Sequence, residues 1–338
     1  MTLGGDKEGF WGCTRIKNPT FSIELCIINY KYCLCPGVSR MQPIIDTHLH
    51  FWDLSRFKLP EIDSYEKLRR NFLLDDAVES IKGLNVEKII YMEVNLIQEQ
   101  KYSEAQYLTQ ICENDNNPVC SAIIGGDPMS YSFKHYAQLF ENNNRIKGVR
   151  HVLHPPEIKK GYCLEKGFVD SVRFLGEIGL RFCICMRPSE LNDAIKLAEL
   201  CPETSLILDH CGNAVPEIVS GSIEENDYGF EIFKHNSDQW MRDIENLAKK
   251  ENVTCKISGM LFKTDPGSLT PELLAPAINH CLDTFGPDRV IFGSNWPVCT
   301  LTASYETWVN LLKEVIKDRS EEFKNKLFYG NAKSIYGI

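Results

Sequence analysis

Long apolar runs are missing from this chain. No stretch approaches the ~20 residues that a membrane-spanning helix needs, so a helical membrane protein is excluded. Positive charge is also scarce. Lys and Arg number 37 against 46 Asp and Glu, and the formal charge of −9 leaves no basic stripe for a nucleic-acid footprint. Neither nucleic acid nor a membrane is an expected partner. The fourteen cysteines include no CxxC pair with zinc-finger spacing and do not resemble a small disulfide scaffold. Most lie inside apolar runs such as Arg181–Arg187, where a thiol behaves as a small hydrophobe, and the reducing cytoplasm is the expected compartment. Repeats and low-complexity tracts are absent too.

Residues 1–40 read as a separate, loosely ordered extension with no catalytic part. Met1 to Asp6 lacks the basic flank and adjacent apolar stretch of a secretory signal, and the apolar segment Phe21–Tyr30 is short and interrupted by Glu24. Cys13, Cys26, Cys33 and Cys35 fall here, and Met41 stands directly before the first β-rich run. The sequon at Asn252 opens an expected buried strand, which argues against glycosylation.

From Met41 to Ile338, short β-rich runs alternate with longer amphipathic stretches. The expected strands are Ile44–Phe51, Lys88–Asn95, Val119–Asp127, Ile146–Leu153, Arg181–Arg187, Ser205–Gly212, Val253–Met260 and Arg289–Pro297. Helical patterns lie between them, over Ser103–Glu113, Val169–Ile178, Glu190–Leu200, Gln239–Lys250 and Pro271–Phe285. Strand–helix alternation implies right-handed βαβ units and a parallel sheet. Eight such units in about 250 residues suit a closed (β/α)8 TIM barrel. A doubly wound open sheet would want a glycine-rich first loop, where this chain has Phe51, Trp52 and Asp53. The stretch from Asn213 to Asp238 is expected to form an active-site loop or lid.

Barrel enzymes place their chemistry at the C-terminal ends of the strands. On a strand, His48 and His50 point the same way, and two adjacent imidazoles form half a site for a metal or a polarised carbonyl. Other strands end in Glu93 and Asn95, Arg150 and His151, Arg187, Asp209 and His210, Lys256 and Ser258, and Asn295. Strand parity groups His210 with Leu206 and Leu208, and Asn295 with Gly293. His210 is taken as a site residue. Arg150 suits an anionic or carbonyl oxygen, and Trp52 and Trp296 suit the apolar wall of a sugar-sized pocket. His135, His154, His235 and His280 are read as structural or surface residues.

The segments Ile45–Asp53, Gly148–His151, Leu208–Gly212, Lys256–Gly259 and Phe292–Val298 resemble the amidohydrolase-related barrels, in order and at the right intervals. Among these they are most similar to sugar lactonases of the L-fuconolactonase type. The resemblance implies a barrel that hydrolyses a small-molecule sugar lactone to its hydroxy acid, and leaves homo-oligomerisation open. One departure concerns the last motif, where the family's aspartate is replaced by Asn295, an amide that accepts no proton at neutral pH. The fifth strand offers Cys183 and Cys185 where metal-dependent relatives have a histidine. His48, His50 and His210 are then the metal candidates, for one divalent ion (zinc or manganese) with a water as fourth ligand, and no carboxylate completes the set. With or without that metal, His48, His50 and His210 are expected to polarise the ring carbonyl. Asn295 would orient the water, and Glu93 and Arg150 would line the substrate site; His210 or Glu93 is the candidate base. Two alternatives stand beside the lactonase: a barrel that binds ligand without turnover, and a metal-dependent decarboxylase.

Overall fold

The computed structural model describes residues 41–338; the extension read over residues 1–40 lies outside them. The apolar runs form eight strands: β1 (Ile44–Leu49), β2 (Val86–Met92), β3 (Val119–Gly125), β4 (Ile146–Val152), β5 (Arg181–Cys185), β6 (Leu206–Leu208), β7 (Val253–Ile257) and β8 (Val290–Phe292). Each pairs in parallel with the next, in chain order. A parallel bridge between Leu49 and Trp296 brings the last strand back to the first. The fold is the (β/α)8 TIM barrel.

A principal helix follows each strand, with shorter helical segments added after β6 and β8: α1 (Leu74–Ser80), α2 (Lys101–Glu113), α3 (Phe133–Gln138), α4 (Lys166–Glu177), α5 (Leu191–Leu200), α6 (Ser237–Ala248), α7 (Pro271–Phe285) and α8 (Tyr305–Val315). Local chemistry fixes several of their starts. Asn236, Thr270 and Ser304 each accept a backbone N–H of the first turn of α6, α7 and α8, and Pro271 sits at the position where a missing N–H costs nothing. Each such cap contributes about 1 kcal/mol. The buried residues Trp240, Ile244, Leu247 and Ala248 recur at helical spacing and turn one face of α6 to the barrel.

Strand alternation divides the apolar side chains into two cores. One set, including Ile44, Ile89, Tyr91, Phe182, Leu206, Leu208 and Phe292, points outward and packs with the helices. The other, Ile45, Ile90, Met92, Ile123, Cys183, Ile207 and Ile291, fills the barrel interior. Ala332 and Tyr336, from α9 (Asn331–Tyr336), join this inner set and form its floor. The side chain of Asn252 is spent on the carbonyls of Ala198, Cys201 and Thr204, which agrees with the discounted sequon.

The strands stop short of the expected runs at their C-terminal ends: β6 ends at Leu208 rather than Gly212, and β8 at Phe292 rather than Pro297. The polar residues there leave the ladder to turn into the barrel mouth. The excursion after β6 is built of short helical turns with a small core of its own, Val215, Ile218, Tyr228 and Phe233. No helix among the described residues is long and apolar enough to cross a membrane.

Candidate active site

Ile45 faces the barrel interior, so unbroken alternation would put Thr47 inside and His48 outside. A bulge reverses the sense. Between Asp46 and Leu49 three residues of β1 advance against two of β2, which brings His48 inside and leaves Leu49 in the outer core. Asp46 holds the bulge, its Oδ1 accepting the backbone N–H of His48 at 3.0 Å and of Ser294 at 2.9 Å. The facing residue is Gly293, where a Cβ would lie 2.7 Å from the Cβ of His48. A glycine is required at that position.

At the end of β6, parity places Asp209 inside with Ile207 and sends His210 outward with Leu206 and Leu208. The backbone overrules parity for the histidine. His210, Cys211, Gly212 and Asn213 all take left-handed φ, between 52° and 66°, a conformation that costs a non-glycine residue roughly 1–2 kcal/mol. This turn swings His210 into the mouth, its ring 4.3 Å from that of His48 and its Nδ1 2.8 Å from Ser258 Oγ. Asn95 and Asn295 also have positive φ, so the strained backbone gathers where β2, β6 and β8 open.

Two buried ion pairs connect these groups. Arg150, from β4, donates Nε to Glu93 Oε1 at 2.5 Å and Nη2 to the Glu93 carbonyl at 2.7 Å. Its Nη1 reaches His48 Nε2 at 3.3 Å and Asp209 Oδ2 at 3.6 Å. Lys256, from β7, lies 2.9 Å from Asp209 Oδ1 and 3.3 Å from His48 Nδ1. Burial opposes charge on Glu93 and Asp209, but Arg150 and Lys101 outweigh it at Glu93, and Lys256 and Arg150 do so at Asp209. Both carboxyls are held below their usual range. The histidines go the other way. Burial, reinforced by Lys256 at His48 and by His48 at His210, pushes both well below the ordinary imidazole value. The site therefore carries two cations, two anions and neutral imidazoles. Arg150 at Nε2 and Lys256 at Nδ1 can both only donate, so the neutral His48 ring lies between two cationic donors, with Asp209 Oδ1 3.4 Å from Nδ1.

His50 has a different environment. Its Nδ1 lies 2.9 Å from the Met92 carbonyl, which can only accept, and its Nε2 lies 3.3 Å from Asn295 Oδ1. Burial, then Arg150, lowers it to about 4. A neutral His50 must place its proton on Nδ1, so Nε2 offers a lone pair. His50, Asn295, Arg150, His210 and Trp52 all line one cavity of about 150 Å³, and Arg150 is the only lysine or arginine in its wall among the described residues.

Two of the expected substrate contacts do not reach this cavity. Trp296 packs edge-on against Phe72 at 5.5 Å where β8 rejoins β1, and Glu93 is consumed by Arg150 and by the backbone N–H of Asn95. Being ion-paired and held below its usual range, Glu93 is also poorly suited to act as a base. Conversely, His154, read as structural or surface, is in the cavity wall, as are Asn95, Glu61, Asn213, Ile232 and Phe233. Asp209 and Lys256 were visible as strand-end residues, and inward parity with Ile207 marks the aspartate. The loop residues left no periodic signal.

The metal candidates rearrange. His48, Asp209 and His210 each offer a ligand atom within 4.8 Å of the others, while His50 stands apart, turned to Met92 and Asn295. Asp209 thus supplies the carboxylate missing from the histidine-only set. Two imidazoles and a carboxylate suit zinc. Lys256 faces Asp209 by charge alone, since neither Asp209 oxygen has a hydrogen bond of good geometry. The donor set therefore fits a divalent ion, which would share Asp209 with the ammonium.

Comparisons with known proteins agree with this architecture. An L-fucono-1,5-lactonase of Burkholderia multivorans is 23% identical, the match covering 87% of this chain and 96% of that protein. An L-rhamnono-gamma-lactonase of Scheffersomyces stipitis is 24% identical, over 87% and 98%. The crystal structure of an amidohydrolase from Burkholderia multivorans with bound zinc superposes with a TM-score of 0.74 at 22% identity, covering 88% of this chain and 99% of that one. A family model described as "Amidohydrolase" matches residues 45–338, and the chain belongs to that family.

Proposed function

We propose that this protein hydrolyses a sugar lactone, an aldonolactone of the L-fucono or L-rhamnono kind, to its hydroxy acid. The observation that carries the reading is His50 Nε2, a lone-pair nitrogen in the wall of a cavity that also contains Arg150 and Asn295, whose amide lies 3.3 Å away. A water in the cavity beside the Asn295 amide would donate one hydrogen to His50 Nε2 and turn a lone pair toward the substrate. Asn295 orients and His50 takes the proton, so the site requires no aspartate at this position. As the water oxygen adds to the lactone carbonyl, Arg150 faces the oxyanion. When the ring C–O bond breaks, the proton on His50 Nε2 passes to the departing alkoxide, which leaves as the hydroxyl of the open acid. The names of the lactonase relatives support the same substrate class.

A divalent ion, when bound, would be held by His48, Asp209 and His210 and would polarise the carbonyl or acidify water. The chain's own residues supply the rest. Lys256 and Arg150 keep Asp209 ionised, and the left-handed turn and Ser258 fix the ring of His210.

A panel of aldonolactones, followed by acid release with zinc and manganese content measured in parallel, tests the proposal. Hydrolysis of at least one lactone well above its spontaneous rate is expected. The double change His48→Ala, His50→Ala should abolish it without unfolding the barrel. If no lactone is turned over, the reading is wrong and a barrel that only binds takes its place.

A further inference from the structure

The wall of the active-site cavity contains a single carboxylate among the described residues, Glu61, and the steps of hydrolysis leave it idle. Glu61 sits in the short turn Pro60–Ser64 after β1, where the buried side chains of Leu59 and Ile62 pin the turn to the barrel mouth. Its Oε1 accepts Asn95 Nδ2 at 2.6 Å. A carboxylate can only accept, so this bond fixes which end of the Asn95 amide faces Glu61 and leaves Asn95 Oδ1 free. Neither Asn95 Oδ1 nor Glu61 Oε2 has a partner among the described residues, and both side chains line the cavity. Both are reachable: Glu61 is exposed, and the half-buried Asn95 keeps its Oδ1 open. Glu93 ties this edge to Arg150, its Oε2 accepting the Asn95 backbone N–H at 2.7 Å and its Oε1 accepting Arg150 Nε at 2.5 Å.

We infer that Glu61 and Asn95 recognise two hydroxyls of the sugar ring, and that they select neutral polyhydroxy lactones over lactones that carry a carboxylate. The inference deepens the lactonase reading and rests on it for the carbonyl alone. The two free oxygens are acceptors on neighbouring side chains, and a polyhydroxy ring brings a donor to each. The bond to the carboxylate is charge-assisted, and so stronger than one between neutral groups. A substrate carboxylate would instead bring only acceptors and a like charge to Glu61. The cavity thus meets a carbonyl with its one cation and hydroxyls with its one anion, and the two oxygens of Glu93 fix the first relative to the second.

The test measures binding by calorimetry with lactams, whose amide ring resists hydrolysis: L-fucono- and L-rhamnono-lactam against piperidin-2-one, a lactam ring without hydroxyls. A hydroxylated lactam should bind about tenfold tighter, the worth of one charge-assisted hydrogen bond. Glu61→Gln can meet Asn95 Nδ2 through its amide oxygen and turn an NH2 to the cavity, so most of that preference should go. Asn95→Gly keeps the positive φ of 50° and the N–H to Glu93, and should lose part of it. In turnover, Glu61→Gln should raise KM for a neutral sugar lactone about tenfold, the loss falling on KM rather than kcat. It should lower KM for D-glucaro-1,4-lactone, whose carboxylate it no longer repels. A Glu61 that only props up the turn would move both KM values the same way, and that result overturns the inference. Hydroxylated lactams that bind no tighter than piperidin-2-one, or a preference that survives both variants, overturn it as well. If the lactam preference is present and sensitive to both variants but no lactone is hydrolysed, the hydroxyl contacts stand and the lactonase reading fails.

Discussion

Changing Gly259 to alanine reaches the site through a single methyl group. Gly259 has a φ of +64°, and a Cβ built there would lie 2.4 Å from Cγ and Nδ1 of His210 and 2.8 Å from its Cβ. Carbon atoms in contact stand about 3.5–4.0 Å apart, so the imidazole must retreat by roughly 1 Å. The retreat would break its 2.8 Å bond to Ser258. A displacement of that size at a reacting centre costs about 10²-fold in rate. The left-handed backbone adds roughly 1–2 kcal/mol of destabilisation for any residue with a Cβ. Gly179 separates the two effects: its φ is +75° and nothing lies within 4 Å of its would-be Cβ. Gly179→Ala should therefore lower stability by about 1–2 kcal/mol and leave kcat/KM unchanged. Gly259→Ala should lower both, as read by urea unfolding and by initial rates of lactone hydrolysis. If kcat/KM of Gly259→Ala stays within about threefold of wild type, His210 does not act through its position in the mouth.

Three more outcomes follow from the site. Lys256→Met leaves Asp209 buried beside Arg150 alone and should cost about 3–5 kcal/mol of stability, most of it regained when Asp209→Asn is added; urea midpoints in the presence of a chelator check this, and equal losses in single and double variants would refute the pairing. Asn295→Asp keeps an acceptor for the water and sets a carboxylate beside His50 Nε2, so kcat should rise by about tenfold or more, whereas a slower variant would show that the amide's own N–H groups are needed. Burial holds His154 at about 3 and His235 at about 4, below the ordinary imidazole value of 6.5. The unfolded chain therefore takes up protons first as pH falls, and each histidine should remove about 1 kcal/mol of stability by pH ~5.5; a midpoint that stays flat between pH ~7 and ~5.5 would contradict their neutral burial.

The barrel was legible because its information is periodic. Eight β-rich runs alternating with helical patterns fixed the class, and the limits of α7 emerge residue for residue from Thr270, Pro271 and the glycine after Phe285. His48 and His50 were legible as a pair, but not the bulge at Asp46 that turns them inward, because a one-residue register shift leaves no mark in an apolar pattern. His210 was found for its residue type. Its route into the mouth depends on four successive left-handed residues, which sequence parity cannot anticipate. The same parity, followed inward from Ile207, leads to Asp209, the carboxylate that the histidine set lacked. Residues such as Glu61, His154 and Phe233 came from loops, where position is set by tertiary packing rather than by any repeat.

The floor of the barrel has a consequence for how the chain is made. Ala332 and Tyr336 belong to the same inner core as Ile45 and Ile90, and Arg181 of β5 donates to the carbonyl of Ile335 and lies over the ring of Tyr336 at 5.5 Å. During synthesis every strand emerges before this segment does, so the nascent barrel has an unsealed apolar lumen until Asn331–Tyr336 is translated. A domain that folds as a unit on the ribosome would wait for that seal. Premature stops just ahead of Asn331 should consequently yield aggregation-prone chains rather than trimmed, working enzymes.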